Sequence, residues 1–421
     1  LFFFMKKVFV AMSGGVDSSV AAALLKKGLF LPAGRRVDVV AAHMICWKDA
    51  VGSAKADRCA AERDAEDARR VANKLDIPFY VFDFEKEYRE KVFDYMVREY
   101  RNGRTPNPDV MCNKEIKFGI FLEKALEMGA DYIASGHYVR LRKSETQNSK
   151  FETSPKPKFQ NSKLSTSHFS LFIAKDLNKD QSYFLWTLTQ DQLKHCLFPI
   201  GDYAKSEVRQ MAREFGLPTA EKKDSQGICF LGKVTLDKFL SQYIPEKRGL
   251  VLTAAGEKIG EHKGAHFYTI GQRHISITNR QSPIVNREEN FKPCYVAEKD
   301  IKTNTLVVVE DDENPALYRK EIELTDVNFI TSFLPSLIRA SKGMGVLVRI
   351  RYRQPLVKAT LIFTDDIKIS ADIKNKNPRK SALKSASIRV LFEKPQKAVA
   401  PGQSAVFYDE KGGMLGGGVI C

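Results

Sequence analysis

Lys7-Val8-Phe9-Val10-Ala11-Met12-Ser13-Gly14-Gly15-Val16-Asp17-Ser18-Ser19 passes from an apolar run through small residues into a helix-forming segment. Residues 7–12 form a short apolar run of β-branched and aromatic residues, the pattern of a buried strand. Small residues fill the turn from Ser13 to Ser18, and residues 19–27 are rich in Ala and Leu, good helix formers. A strand that turns through glycines into a helix gathers backbone N–H groups and the positive helix end at one point, which suits an anion. Ser13, Ser18 and Ser19 add hydroxyl donors. No Gly-Lys-Ser/Thr follows, so this is not the loop that grips a triphosphate for γ-phosphoryl transfer. A bare glycine turn without a ligand is the competing reading, and the strand–loop–helix order speaks against it.

Outward from the loop the same alternation continues. Residues 37–45, 79–84 and 131–135 read as strands; residues 58–75, 85–100 and 118–128 read as helices. Such alternation builds βαβ units, hence a Rossmann-like parallel sheet with helices on both faces. Residues 143–170 interrupt it with Ser, Lys, Asn and Pro. They carry a near-repeat, Gln147-Asn148-Ser149-Lys150 and Gln160-Asn161-Ser162-Lys163, and are expected to be a disordered surface insertion. Beyond residue 221, short β-rich runs at 251–252, 266–270, 306–310, 345–352, 359–363, 390–392 and 405–408 are separated by Gly, Pro and Asn. Their spacing predicts small antiparallel β domains of barrel type. A basic stretch at 372–387 reads as a solvated turn between two of them. The expected division is an α/β domain over 1–220, a small β-rich central domain over 221–290 and a C-terminal β-barrel over 291–421.

The chain of 421 residues carries 67 basic and 51 acidic side chains, a formal charge of +16, and is 43% hydrophobic. It has enough apolar content for real cores, and its charge points to a polyanion, nucleic acid first. The plainer reading is that the charge only aids solubility. No apolar run approaches the ~18 residues a membrane span needs. Leu1 to Phe4 is too short for the core of a secretory signal, and Met5 is a candidate start. The seven cysteines are odd in number and scattered, with no CxxC pair, which argues against a zinc ribbon, and no residue is read as a resident metal ligand from their pattern. A cytoplasmic location, with reduced thiols, is expected.

Two cysteines stand in polar surroundings. Cys112 ends Asn107-Pro108-Asp109-Val110-Met111-Cys112, a segment that opens with turn residues. If a helix follows, Cys112 lies near its N-terminus, which lowers a thiol pKa. Asp109 stands three residues earlier, suited to move protons beside it. Cys229, in Asp224-Ser225-Gln226-Gly227-Ile228-Cys229-Phe230, has the setting of an exposed reactive thiol. Taken singly, either fits a small buried hydrophobe as well. Cys46, Cys59, Cys196, Cys294 and Cys421 carry no such signal. Met44 ends a strand on the side where α/β sheets bind ligands, or else packs in the core. His137 also closes a strand, and a lone histidine there is more often structural. Arg351 offers a phosphate clamp and Tyr352 a stacking ring. On one strand they would face opposite ways, so a shared contact needs a bend.

Several segments together resemble one family, the tRNA-specific 2-thiouridylases of the PP-loop ATP-pyrophosphatase superfamily. They are Ala11 to Ser19, Thr105 to Asn113, Ala134-Ser135-Gly136-His137-Tyr138, Lys179-Asp180-Gln181-Ser182-Tyr183-Phe184-Leu185, Asp224 to Phe230, Phe267-Tyr268-Thr269-Ile270-Gly271-Gln272-Arg273, Arg349-Ile350-Arg351-Tyr352-Arg353 and Pro401-Gly402-Gln403. The order of these pieces, from residue 11 to residue 403, makes the likeness specific. It implies that ATP is cleaved between its α- and β-phosphates and that O2 of a tRNA wobble uridine is adenylated. A persulfide sulfur, delivered to Cys229 by a relay protein, then attacks C2. Cys112 attacks the Cys229 sulfur, which leaves 2-thiouridine and a Cys112–Cys229 disulfide. Asp109 is the implied acid–base.

The resemblance assigns ATP contacts to Ala11, Met12, Ser13, Gly14, Gly15, Val16, Asp17, Ser18, Met44 and Gly136. Asp17 would order the loop or hold Mg²⁺. Target-base contacts fall on Asn107, Pro108 and Asp109, and further tRNA contacts on His137, Lys179, Asp180, Gln181, Arg351, Tyr352 and Gln403. A monomer is expected. The chain departs from the family after Gly271-Gln272-Arg273, where His274-Ile275-Ser276-Ile277-Thr278-Asn279-Arg280 replaces a Gly-rich run, and at residues 31–36 and 143–170. Three other readings compete: an amidotransferase-type synthetase on the same loop, a non-catalytic RNA-binding protein, and an iron–sulfur cluster on Cys112, Cys229 and Asp109. The last is disfavoured because no third cysteine lies nearby.

Overall fold

The computed structural model describes residues 5–30, 37–48, 59–145, 167–223, 236–279, 293–330, 343–363 and 388–421. The first part runs β1 (Lys6–Ala11), α1 (Val16–Lys26), β2 (Val37–Ile45), α2 (Cys59–Leu75), β3 (Phe79–Asp83), α3 (Glu85–Tyr88), α4 (Asp94–Arg101), α5 (Pro108–Met111), α6 (Phe121–Glu127), β4 (Tyr132–Ser135), β5 (Arg140–Glu145), β6 (Ser167–Phe172), α7 (Gln190–Leu193), β7 (Cys196–Leu197) and α8 (Lys205–Glu214). Five strands form a parallel sheet in the order β3-β2-β1-β4-β7. Alternation along the strands divides the interior in two. Phe9, Val40 and Ala42 join one core with Tyr88, Val92, Phe118 and Phe121. Val8, Val10, Val39 and Ala41 join the other with Val20, Leu24, Ala68, Val71 and Val208. Each fully buried side chain of this size contributes ~1.5–3 kcal/mol, so the sheet is held from both faces.

Helix α1 begins at Val16 rather than at 19, because Gly15 takes the extended N-cap conformation; Asp17 in the first turn and Lys26 in the last complement the helix dipole. The helix expected over 118–128 begins earlier, at Pro108. Asn107 caps it, its Oδ1 accepting from the Val110 amide at 3.2 Å, and Pro108 takes the position where a missing N–H costs nothing. Between α5 and α6, residues Cys112–Ile120 are wound as π-helix. The two-residue β7 is too short to leave a pattern in the sequence.

Part of the expected insertion is ordered. β5 and β6 pair antiparallel, Lys143 opposite Phe169, because Leu141 and Leu171 face each other and Leu171 is buried. Residues 146–166 lie outside the described residues, as do 31–36 and the basic turn at 372–387. In the central region, α9 (Leu236–Leu240) precedes β8 (Gly249–Thr253), β9 (Lys258–His262), β10 (Cys294–Asp300) and β11 (Thr305–Glu310), ordered β10-β11-β8-β9. The β11–β8 pair is parallel, so this sheet is not purely antiparallel. It ties 294–310 to the strand that begins at 249, whereas the sequence division falls at 290/291. The expected β run at 266–270 is a 3₁₀ turn at Ala265–Phe267. A closed barrel then contains β12 (Tyr318–Phe329), β13 (Met344–Arg349), β14 (Val357–Phe363), β15 (Ile388–Lys397), β16 (Ser404–Tyr408) and β17 (Met414–Ile420), every neighbouring pair antiparallel. Among the described residues no helix is long and apolar enough to cross a membrane.

Candidate active site

The chain leaves β1 towards β2 and β3 on one side, then returns to place β4 on the other. β1 and β4 therefore flank the topological switch point of the sheet, where α/β folds bind ligands beyond the strand ends. Ala11 and Ser135 are register partners, so both strands end together. The loop Met12 to Gly15 emerges from one, and Gly136-His137-Tyr138 from the other. A Cβ on Gly136 would lie 2.6 Å from the Ser18 amide nitrogen, and one on Gly14, at φ +73°, would overlap the Asp64 carbonyl. These glycines let the loop pack closely, Gly14 against the Asp64 backbone behind it and Gly136 against the start of α1.

Within the loop, the Ser13 amide donates to Ser18 Oγ at 3.2 Å, and Ser19 Oγ donates to the Gly15 carbonyl at 2.8 Å. The leading amides of α1 have no partner within their own helix, which leaves them for an anion. Behind the loop, His43 Nδ1 lies 2.8 Å from the Met12 carbonyl oxygen, and burial lowers its pKa, so it acts as a neutral prop. Met44, its neighbour, is half-buried at the end of β2 and packs against the core.

The loop lacks a lysine of its own, yet a lysine reaches it. Lys205, at the start of α8, donates to both carboxylate oxygens of Asp17, at 2.8 and 2.9 Å. Tyr138 donates its hydroxyl to the same carboxylate at 2.8 Å, bridging the crevice between the two strand ends. Sequence reasoning missed Lys205, which stands 188 residues from Asp17. Asp17 thus orders the loop, and its charge beside an anion site is offset. Asp64, behind Gly14, is paired with Lys222 at 2.7 Å. With both carboxylates flanking the loop neutralised by lysines, the described residues do not fit a protein-held Mg²⁺, and any such ion would enter on the phosphates.

The second element is the turn Asn107 to Cys112. Burial raises the Asp109 carboxyl pKa above its ordinary value, with Lys117 opposing, so Asp109 holds a proton to higher pH than a surface carboxylate. Cys112 is buried and comes one turn into the helix, past the first turn where the helix field is strongest; the expected place at the N-terminus belongs to Asn107 and Pro108. Asn113 donates to the Asp109 carbonyl at 3.0 Å, while its Oδ1 is buried without a partner among the described residues. An unpaired buried acceptor is costly, which marks it as a group with a use. Cys229 lies outside the described residues.

Of the positions implied for tRNA contact, several are interior. His137 is buried, with Nδ1 2.8 Å from Ser135 Oγ and its ring beside Phe118 and Phe198; burial holds it well below the usual imidazole range. Asp180 is 1% exposed and forms an ion pair with Arg349 at 2.7 Å, while accepting from Ala174 N, Ser182 N and Ser182 Oγ. It is therefore a joint between the α/β domain and the barrel rather than an RNA-facing group. Gln181 brackets Tyr138, its amide N–H donating to the Tyr138 carbonyl and its Oε1 accepting from the Tyr138 amide. Lys179 is half-buried beside it.

Arg351 and Tyr352 follow the end of β13, in a turn that leaves the strand and takes Arg353 to φ +64°. The bend that a shared contact requires is present. Tyr352 packs against Phe184 with the rings tilted by 46° and their centroids 4.6 Å apart, and Arg351 donates to the Ile270 and Ala398 carbonyls. Gln403 donates to the carbonyls of Thr105 and Pro106, at 3.0 and 3.2 Å.

A parallel sheet with a backbone-lined anion loop at its switch point defines a nucleotide-binding α/β domain. Residues 6–233 match the family model of the tRNA methyl transferase HUP domain, 237–310 the tRNA methyl transferase PRC-barrel domain and 378–420 the Aminomethyltransferase beta-barrel domain. The chain belongs to the tRNA-specific 2-thiouridylase family and is an enzyme of that class. It is 40% identical over 415 residues to the tRNA-specific 2-thiouridylase MnmA of Staphylococcus epidermidis, covering 98% of this chain and 95% of that one. Against the protein of the same name from Listeria monocytogenes it is 40% identical, over 98% and 94%. Against that of Staphylococcus saprophyticus it is 41% identical, over 96% and 92%. A solved U34-tRNA thiolase, NcsA from Methanococcus maripaludis, aligns at 18% identity over 57% of this chain and 67% of that one with a TM-score of 0.31, too distant to bear on the site.

Proposed function

We propose that the chain uses ATP to activate O2 of the wobble uridine in tRNA and replaces that oxygen with sulfur. One observation carries the reading: a lysine-free, backbone-lined anion loop at the switch point, in a chain 40% identical along nearly its whole length to 2-thiouridylases. Ser13 to Ser18 and the N-terminus of α1 receive the phosphates, with Met44 and Gly136 lining the nucleotide. The uracil O2 attacks the α-phosphorus, the α–β bridge breaks, and pyrophosphate leaves. A persulfide sulfur on Cys229, loaded by a donor protein, attacks C2, and AMP departs with the former O2. The Cys112 thiolate then attacks Cys229 Sγ, breaking its bond to the transferred sulfur, which leaves as the C2 thiocarbonyl; the resulting Cys112–Cys229 disulfide is reset by a cytoplasmic thiol reductant. Asp109, whose raised pKa suits a proton carrier, acts beside Cys112. The chain works as a monomer on this scheme. The two-thiol route needs no iron–sulfur cluster, and no third cysteine stands near Cys112 or Cys229 in the sequence.

The test is sulfur-label incorporation into tRNA together with pyrophosphate release. Wild type is expected to do both. Cys112→Ser and Cys229→Ser are each expected to lose labelling, while an ammonia-using synthetase would not need either thiol. Full labelling by both variants would overturn the sulfur route, and labelling without pyrophosphate would overturn the activation step.

A further inference from the structure

The segment that leads into Asp109 and Cys112 is poorly equipped to hold itself. Thr105-Pro106-Asn107-Pro108 contains two prolines, so only Thr105 and Asn107 carry a backbone N–H. Asn107 spends its side chain on capping the helix that follows. The segment is instead fixed from outside. The turn Pro401-Gly402-Gln403, between β15 and β16 of the barrel, grips it from one side. Pro401 accepts from the Thr105 amide at 2.7 Å, and Gln403 Nε2 donates to the Thr105 and Pro106 carbonyls. Gly402 sits at φ +92°, and a Cβ there would lie 2.9 Å from both Thr105 N and Thr105 O, so the approach tolerates only glycine. From the other side, the central domain holds Thr105 Oγ1 at 3.1 Å from Thr269 Oγ1 and Arg101 Nη2 at 2.8 Å from the Tyr243 carbonyl.

We infer that Gln403 is a positioning residue, which sets the Asp109–Cys112 turn from the barrel so that sulfur transfer depends on the barrel being seated. Its side-chain amide donates to both the Thr105 and the Pro106 carbonyl, so a single group ties two consecutive peptide units of this segment to the barrel. The inference rests on the thiolation reading above.

The experiment is single-turnover sulfur transfer with saturating ATP and persulfide-loaded enzyme, alongside the Kd for tRNA. Gln403→Met keeps the volume and removes the donor. Its transfer rate is expected to fall about 10- to 100-fold, the scale of a misplaced reacting group. The Kd values for tRNA and for ATP should stay within about twofold of wild type. Thr269→Val, which releases the same segment from its other side, should lower the transfer rate in the same direction and by less. It carries the test if Gln403→Met does not fold. Gln403→Asn, too short to reach both carbonyls, should behave as Gln403→Met. Weaker tRNA binding with an unchanged transfer rate would overturn the inference and restore Gln403 as an RNA contact. Unchanged rates in both Gln403→Met and Thr269→Val would overturn it outright. If wild type itself made no 2-thiouridine, the thiolation reading would fail instead.

Discussion

Replacing Arg349 with Met should loosen the joint between the α/β domain and the barrel. Asp180 and Arg349 have side chains 0% and 7% exposed, and they meet at 2.7 Å. Without the guanidinium, the carboxylate remains buried with three donors, Ala174 N, Ser182 N and Ser182 Oγ. Removing one partner of a buried ion pair costs ~3–5 kcal/mol, and the remaining donors place this case at the low end. Asp180→Asn leaves the opposite defect, a buried cation. In the double variant both charges go, and much of the loss should return. Urea unfolding followed by Trp186 fluorescence reads this joint, because Trp186 Nε1 donates to Ser404 Oγ of the barrel at 3.0 Å. A ~3 kcal/mol loss moves the midpoint down by roughly 1 M for a domain of this size. The double-mutant cycle should give a coupling of ~1–3 kcal/mol. A midpoint unchanged by Arg349→Met, or additive single effects, would refute the reasoning. So would a folded Asp180→Asn/Arg349→Met variant that had lost tRNA affinity, since that would make Asp180 an RNA contact after all.

Three further outcomes are expected. Lys205→Gln leaves Asp17 uncompensated beside the phosphates and should slow pyrophosphate release about 10²-fold, with Lys205→Arg retaining part of it; equal rates would remove Lys205 from the site. Gly136→Ala should abolish nucleotide binding measured by calorimetry, because its Cβ falls 2.6 Å from the Ser18 amide nitrogen. Asp109 has a folded pKa raised by burial. The fold therefore favours its protonated form, and stability is lost as pH rises through its ordinary range towards the raised value. Asp109→Asn should remove that loss in melts taken across the acid-to-neutral range, and should remove the matching limb from the pH–rate profile of transfer.

What the sequence disclosed was local. The phosphate loop was legible because strand, small residues and helix follow within thirteen positions, and the alternation of the sheet was legible because four of its five strands are separate apolar runs. Lys205 was not, since nothing near residue 205 announces that it faces Asp17; the pair is made by folding α8 onto α1. Burial of His137 and Asp180 was equally hidden, because a polar residue between elements looks the same whether distant side chains cover it or water does. The 290/291 division missed the parallel β8–β11 pairing, a long-range contact that leaves no mark on either strand. The start of the helix at Pro108 was marked by Asn107 and Pro108, a capping signal read only as turn chemistry. The bend after Arg349 was foreseen as a requirement for Arg351 and Tyr352 to share a contact, and the turn at 350–353 supplies it.

In the proposed reaction O2 of the uridine leaves on AMP. The direct measurement uses tRNA carrying ¹⁸O at O2 of the wobble uridine, with ATP and a persulfide donor, followed by mass spectrometry of the nucleotide products. One ¹⁸O is expected in AMP for each 2-thiouridine formed, and none in pyrophosphate. Label retained in the tRNA, or recovered in orthophosphate, would contradict it.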